Sequence, residues 1–172
     1  MNSRSPVLRA SAEVDASPDE VRSWFLALEE RPELYQSSTH GGFVFTEGSF
    51  GETGAQFETR EWLAGIPVRL RFQLTTIGEK SFAFRLLAPP LPVWGAFEIE
   101  SAEDGSSRLS LLVGGENGCA EWFLRLPLIC SAVQQQIRRE VSHIKPSIEQ
   151  LQPQSRVQRA PVEGTLRGTR TD

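Results

Sequence analysis

Glu61 is the residue of this chain best placed by type and spacing to do chemistry. Side chains of a strand alternate between its two faces. Over residues 56–63 that alternation puts Phe57, Thr59, Glu61 and Leu63 on one side, and Gln56, Glu58, Arg60 and Trp62 on the other. The apolar side faces the interior, so a carboxyl is expected among hydrocarbon. Burial penalises the charged form of a carboxyl, and a group so placed can pass a proton or bind a ligand hydroxyl. Thr59, Thr76 and Tyr35 are the polar side chains expected to assist it. A bulge near Ala64-Gly65 would instead turn Glu61 to solvent. Glu47 shares the side of Phe43 and Phe45, but at a strand end, where solvent is expected.

Other chemistries find little support. His40 and His143 are the only histidines, and no His-x3-His or Cys-x2-Cys spacing occurs, so no metal and no cofactor are expected. His143 flanks an apolar helical stripe and reads as a surface residue; His40 precedes the first long hairpin, near a pocket mouth. No nucleophile elbow is visible. The glycines of Gly48-Ser49-Phe50-Gly51-Glu52-Thr53-Gly54 resemble a phosphate loop only superficially. That chemistry needs a following helix and a lysine, whereas a strand follows here, so a tight turn is expected. Cys119 and Cys130 are expected on one helix, roughly 16 Å apart along it. That is too far for a disulfide, and two buried free thiols fit a reducing cytoplasm.

The net charge of −4 and pI near 5.3 argue against nucleic-acid binding. No apolar run approaches the roughly 18 residues of a membrane span, and no secretory h-region follows the N-terminus. The 172 residues, 39% hydrophobic and 23% charged, suffice for one domain with a real core.

The elements that must position Glu61 read in order. Val7 to Asp15 alternates as a strand with Leu8, Ala10, Ala12 and Val14 inward. Ser17-Pro18-Asp19-Glu20 gives an N-cap, a proline at the first helical position and a capping-box glutamate. That helix carries Val21, Trp24, Phe25 and Leu28, and a second short helix follows Pro32. Six strands come next, near 43–47, 57–63, 68–77, 82–87, 93–100 and 108–113, joined by short turns that predict an antiparallel meander. A helix is predicted from about Ala120 to Leu151, because Trp122, Leu126, Ile129, Val133, Ile137, Val141, Ile144, Ile148 and Leu151 recur in steps of three or four. Pro127 and Pro146 should each kink it or mark a boundary. Beyond Gln152 the chain has Arg156, Arg159, Arg167 and Arg170 among prolines, glycines and polar residues, and reads as a disordered tail. The domain is therefore expected over 7–151, between a flexible stretch at 1–6 and the tail at 152–172.

Two segments carry a family resemblance. Ala16-Ser17-Pro18-Asp19-Glu20-Val21 matches a strand-to-helix junction of the form x-Ser/Pro-x-Glu-Val, and the Gly48–Gly54 loop followed by Ala55-Gln56-Phe57 matches a glycine-rich inter-strand turn. With the order of elements, residues 7–151 resemble the START-like superfamily of Bet v 1-type and polyketide cyclase/dehydrase-like (SRPBCC) proteins. The resemblance implies an α+β helix-grip fold: a curved seven-stranded antiparallel sheet around a long C-terminal helix, with two short helices after strand 1. It also implies an apolar pocket for lipids, isoprenoids, quinones or polyketides.

The expected function is binding or carrying such a molecule between the sheet and the last helix. The alternatives are a cyclase/aromatase-like enzyme built on Glu61, and a protein-interaction module using Trp62, Trp94 or the basic tail. The residues expected to meet the ligand are Tyr35, Phe45, Thr59, Glu61, Phe72, Phe84, Phe97, Trp122 and Leu126. Gly95 is expected to face the cavity and Ala96 to point outward, with the mouth near Tyr35 and the Pro89–Pro92 link.

Overall fold

The computed structural model describes residues 6–35, 40–63 and 65–151. The first strand, β1 (Leu8–Val14), alternates as expected, with Leu8, Ala10 and Val14 buried. The chain leaves it into α1 (Pro18–Ala27) through a capping box: the Glu20 amide donates to Ser17 Oγ at 3.4 Å, and the Ser17 amide donates to the Glu20 carboxylate at 2.8 Å. Each bond satisfies a backbone donor that the helix itself leaves without a partner. A 3-10 turn over Pro32–Tyr35 follows.

Six further strands complete the sheet: β2 (His40–Glu47), β3 (Gln56–Leu63), β4 (Ile66–Ile77), β5 (Ser81–Ala88), β6 (Val93–Ser101) and β7 (Ser107–Gly115). Their order is β1-β7-β6-β5-β4-β3-β2, and every neighbouring pair is antiparallel. This is the predicted meander, closed by the N-terminal strand pairing with the last.

The predicted single helix is two helices. Asn117 caps α2 (Gly118–Leu124), accepting from the Ala120 amide at 3.0 Å. The backbone then extends at Leu126 (φ −60°, ψ 130°), and α3 (Pro127–Gln150) restarts with Pro127 in its first turn. Pro127 is thus the boundary, whereas Pro146 sits inside α3 without ending it. Because the axis changes at the break, the apolar phase does not carry through it. On α2 the inward residues are Ala120 and Leu124, and Trp122, about 200° round the helix from each, is 64% exposed.

Helix α3 packs chiefly on β1 and also touches β7, β3, the 3-10 turn and α1. One helix reaches both β1, at one edge, and β3, next to the other edge, only because the sheet curves around it. Its buried face is Ile137, Val141, Ile144 and Ile148, with Val133 half-buried. Trp24 Nε1 donates to Ser147 Oγ at 3.0 Å, and Ser147 Oγ donates to the Leu34 carbonyl at 3.0 Å, which ties α1, the 3-10 turn and α3 together. Replacing Ile137 by Ala is expected to cost about 2–5 kcal/mol in chemical denaturation. A loss under about 0.5 kcal/mol would mean that this face is not the grip.

A candidate ligand cavity with a polar wall

The curved sheet and α3 enclose a cavity of about 580 Å³, within the range of small-molecule sites. Alternation builds its walls, since Phe57, Phe72, Phe84 and Phe97 come from four successive strands and all face inward. Their rings meet at centroid distances of 5.2 Å (Phe57–Phe72), 5.2 Å (Phe72–Phe84) and 6.0 Å (Phe84–Phe97). Phe84 lies across Gly95, where an added Cβ would fall 2.4 Å from the ring. Gly95 lines the cavity as expected. Ala96 is itself buried, not open, because it sits mid-sheet between Ala83 and Leu112.

One end is closed by Phe25 and Phe50. Phe50 comes from the glycine-rich loop, which is a turn, and its ring lies 6.0 Å from Phe25 and 5.1 Å from Phe82. Its amide donates to Glu29 at 3.3 Å. A buried aromatic between glycines was the overlooked signal that this turn belongs to the core. The exposed lining residues are Arg69, Pro89 and Leu91, so the mouth lies at the β5–β6 link. Tyr35 is buried, and the expectation that the mouth lies beside it is corrected.

Polar side chains gather on one wall. Glu61 is 5% exposed and accepts a hydrogen bond from Gln136 Nε2 of α3. Tyr35 OH donates to Glu140, one helical turn beyond Gln136. Thr59, 2% exposed, lines the same cavity, and its Oγ1 has no hydrogen-bond partner among the described residues. His40 stands opposite Glu61 in the β2–β3 register; its side chain lies outside the described residues. Gln136 and Glu140 were not foreseen, because they flank the apolar stripe, where solvent is the usual neighbour.

Burial raises the Tyr35 phenol well above the ordinary value, and the nearby charges of Glu140 and Glu61 and the bond to Glu140 push the same way. A phenol pKa raised by folding leaves stability intact below about pH 10, the unfolded value, and lowers it as pH climbs toward the folded one. Tyr35 is the single tyrosine of the chain, so tyrosinate absorbance reports it alone. No tyrosinate is expected until well above pH 10. Tyr35→Phe should flatten an alkaline stability loss of at most about 1.4 kcal/mol per pH unit. Tyrosinate formation at pH 10 in the folded protein would contradict the buried placement.

Of the residues expected to meet a ligand, Tyr35, Thr59, Glu61, Phe72, Phe84 and Phe97 line the cavity. Phe45, Trp122 and Leu126 do not. Phe45 lies beside a register shift in β2 and packs among Phe43, Phe50 and Phe57; Trp122 faces solvent; Leu126 is the extended residue between the helices. Thr76 does not line it either. His143 is half-buried, not on the surface. Trp94 is half-buried too, its indole over Gly114 and its Nε1 donating to the Gly115 carbonyl at 3.1 Å, while Trp62 is exposed. The cysteines occupy different helices, Cys119 exposed and Cys130 half-buried, and both are free thiols. Among the described residues no cluster of His, Cys, Asp or Glu is arranged to hold a metal ion, and no helix is long and apolar enough to cross a membrane.

No family model matches the sequence, and no curated protein sequence matches it. Solved structures do. The solution structure of KanY protein superposes with a TM-score of 0.61 at 17% identity, covering 85% of this chain and 99% of that one. Ginseng major latex-like protein 151 from Panax ginseng gives 0.58 at 12% identity, covering 84% and 95%. A START superfamily protein from Mycobacterium smegmatis gives 0.53 at 14% identity, covering 84% and 94%. The fold is the helix grip. At these identities the likeness is one of fold, that of the Bet v 1-like and START proteins. The helix-grip architecture accounts for the space between sheet and α3; the polar wall is read from this chain's own residues.

Proposed function

We propose that the protein binds or carries a hydrophobic small molecule of the lipid, isoprenoid, quinone or polyketide kind in this cavity. The observation that carries the reading is a cavity of about 580 Å³ lined mainly by aromatic and aliphatic side chains, with Thr59, Glu61, Gln136, Glu140 and Tyr35 gathered on one wall and Arg69 at the mouth. Protein interiors otherwise pack with few voids larger than a water molecule, and unfilled apolar space costs stability that a ligand would offset. Free thiols at Cys119 and Cys130 support a reducing compartment such as the cytoplasm. Mass spectrometry of solvent extracts of the purified protein tests the reading. A stoichiometric hydrophobic compound is expected, and its absence, together with no uptake of any apolar probe, would overturn it.

The buried Glu61 favours a second reading, a cyclase/aromatase-like enzyme in which this carboxyl moves a proton on the bound molecule. Glu61→Gln would then abolish turnover while sparing binding. An interaction module is supported less, since Trp94 is packed on the glycines of β7 and of the two tryptophans only Trp62 remains open.

A further inference from the structure

We infer that the bound molecule carries a hydroxyl group at one end, seated between Thr59 and Glu61 on the β3 wall facing α3. This rests on the carrier reading and narrows its ligand.

Three observations support it. The Thr59 hydroxyl is buried against the cavity and has no hydrogen-bond partner among the described residues, and a buried hydroxyl without a partner is disfavoured. Glu61 lies two residues further along the same face, about 7 Å on. That is the backbone repeat; the longer Glu61 side chain can lean toward Thr59, and one oxygen bridges polar atoms up to about 5.6 Å apart with a bond of about 2.8 Å to each. The two residues also set complementary demands, because a carboxylate only accepts while the Thr59 hydroxyl can donate. A ligand hydroxyl meets both, giving its proton to Glu61 and accepting from Thr59. A ketone or quinone carbonyl accepts only, and would face the Glu61 oxygens with nothing to offer. A carboxylate head would set a third negative charge beside Glu61 and Glu140, both lining the cavity. The rest of the molecule lies against the rings of Phe57, Phe72 and Phe84, so the hydroxyl is its polar tip.

The test is displacement of the neutral dye Nile red from the full chain at pH 8, by decan-1-ol, by its methyl ether and by decanoate. Dye binding reports the cavity, and the head-group series reports the inference. Thr59→Val, which keeps the shape and removes the hydroxyl, is expected to weaken decan-1-ol about 5–10-fold while leaving the dye within about twofold. In the wild-type protein the ether, which can accept from Thr59 but has no proton to give Glu61, is expected to bind more weakly than decan-1-ol. Thr59→Ser, which restores a hydroxyl, is expected to recover most of that loss. Glu61→Gln is expected to tighten decanoate about tenfold by removing a like charge. If the dye binds but Thr59→Val leaves decan-1-ol unchanged, a water or nothing satisfies Thr59, and the hydroxyl inference fails while the carrier reading stands. If the folded wild-type protein binds neither the dye nor decan-1-ol, both fail together.

Discussion

Truncating Phe25 to Ala is expected to lower the free energy of unfolding by about 3–5 kcal/mol. Phe25 is 1% exposed and is the hub of the closed end. Its ring lies 5.1 Å from Trp24, 6.0 Å from Phe50, 5.0 Å from Phe82 and 4.9 Å from Phe97. Those four partners come from α1, the glycine-rich loop, β5 and β6, so the surroundings cannot all collapse inward to fill the hole. In urea the midpoint should fall with the slope unchanged, as for a loss of stability without a change in the surface exposed on unfolding. Because Phe25 also lines the cavity, the hole should join the ligand space, and a bulkier probe should be admitted. A loss below about 1 kcal/mol would mean that the aromatic end is loosely packed. Trp122→Ala is the internal control: with its indole in solvent it should stay within about 0.5 kcal/mol of wild type.

Gly115→Ala should act through backbone, not through a side chain. A Cβ at Gly115 would fall 2.5 Å from the Glu121 amide nitrogen and 2.9 Å from the Ala120 carbonyl carbon, both in α2. Backbone atoms cannot rotate aside as a ring can, so α2 must move as a unit. Overpacking of this kind costs about 1–3 kcal/mol, occasionally more. Phe123 and Leu124 of α2 line the cavity, so the same substitution should alter uptake of an apolar dye. Unchanged stability and unchanged uptake together would show that α2 sits further from β7 than described.

What the sequence made legible was set by local rules. The capping box at Ser17–Glu20, the parity of β3 and the alternation of β4 each depend on neighbours a few residues away, and parity alone put Thr59 and Glu61 on the inner face. The errors arose where a local rule was carried across a break. The phase of α3 says nothing about α2, because the extended backbone at Leu126 interrupts the helix between them, so the stripe read as continuous puts Trp122 on the wrong side. Gln136 and Glu140 were invisible for a different reason. Polar residues beside an apolar stripe normally meet water, and only the 3-10 turn with Tyr35 and the strand with Glu61, brought up by the curvature of the sheet, make that flank an interior. Those encounters join residues 75 and 105 positions apart, a distance over which periodicity carries no information.

The pairing of β1 with β7, which sets Leu8 opposite Val113 and Val14 opposite Ser107, also sets a timetable for the nascent chain. Of the strands of this sheet β1 leaves the ribosome before the others, yet its partner lies about a hundred residues downstream. At a synthesis rate of about 5–20 residues per second, β1 waits roughly 5–20 s for β7 to be made, against the microseconds that a hairpin needs. The β2-to-β6 meander can form hairpin by hairpin in that interval, while Leu8, Ala10 and Val14 remain uncovered. The α3 helix that covers β1 is translated later still. Closure of the cavity therefore waits for α3, and the cavity has nothing to hold until that helix has been made.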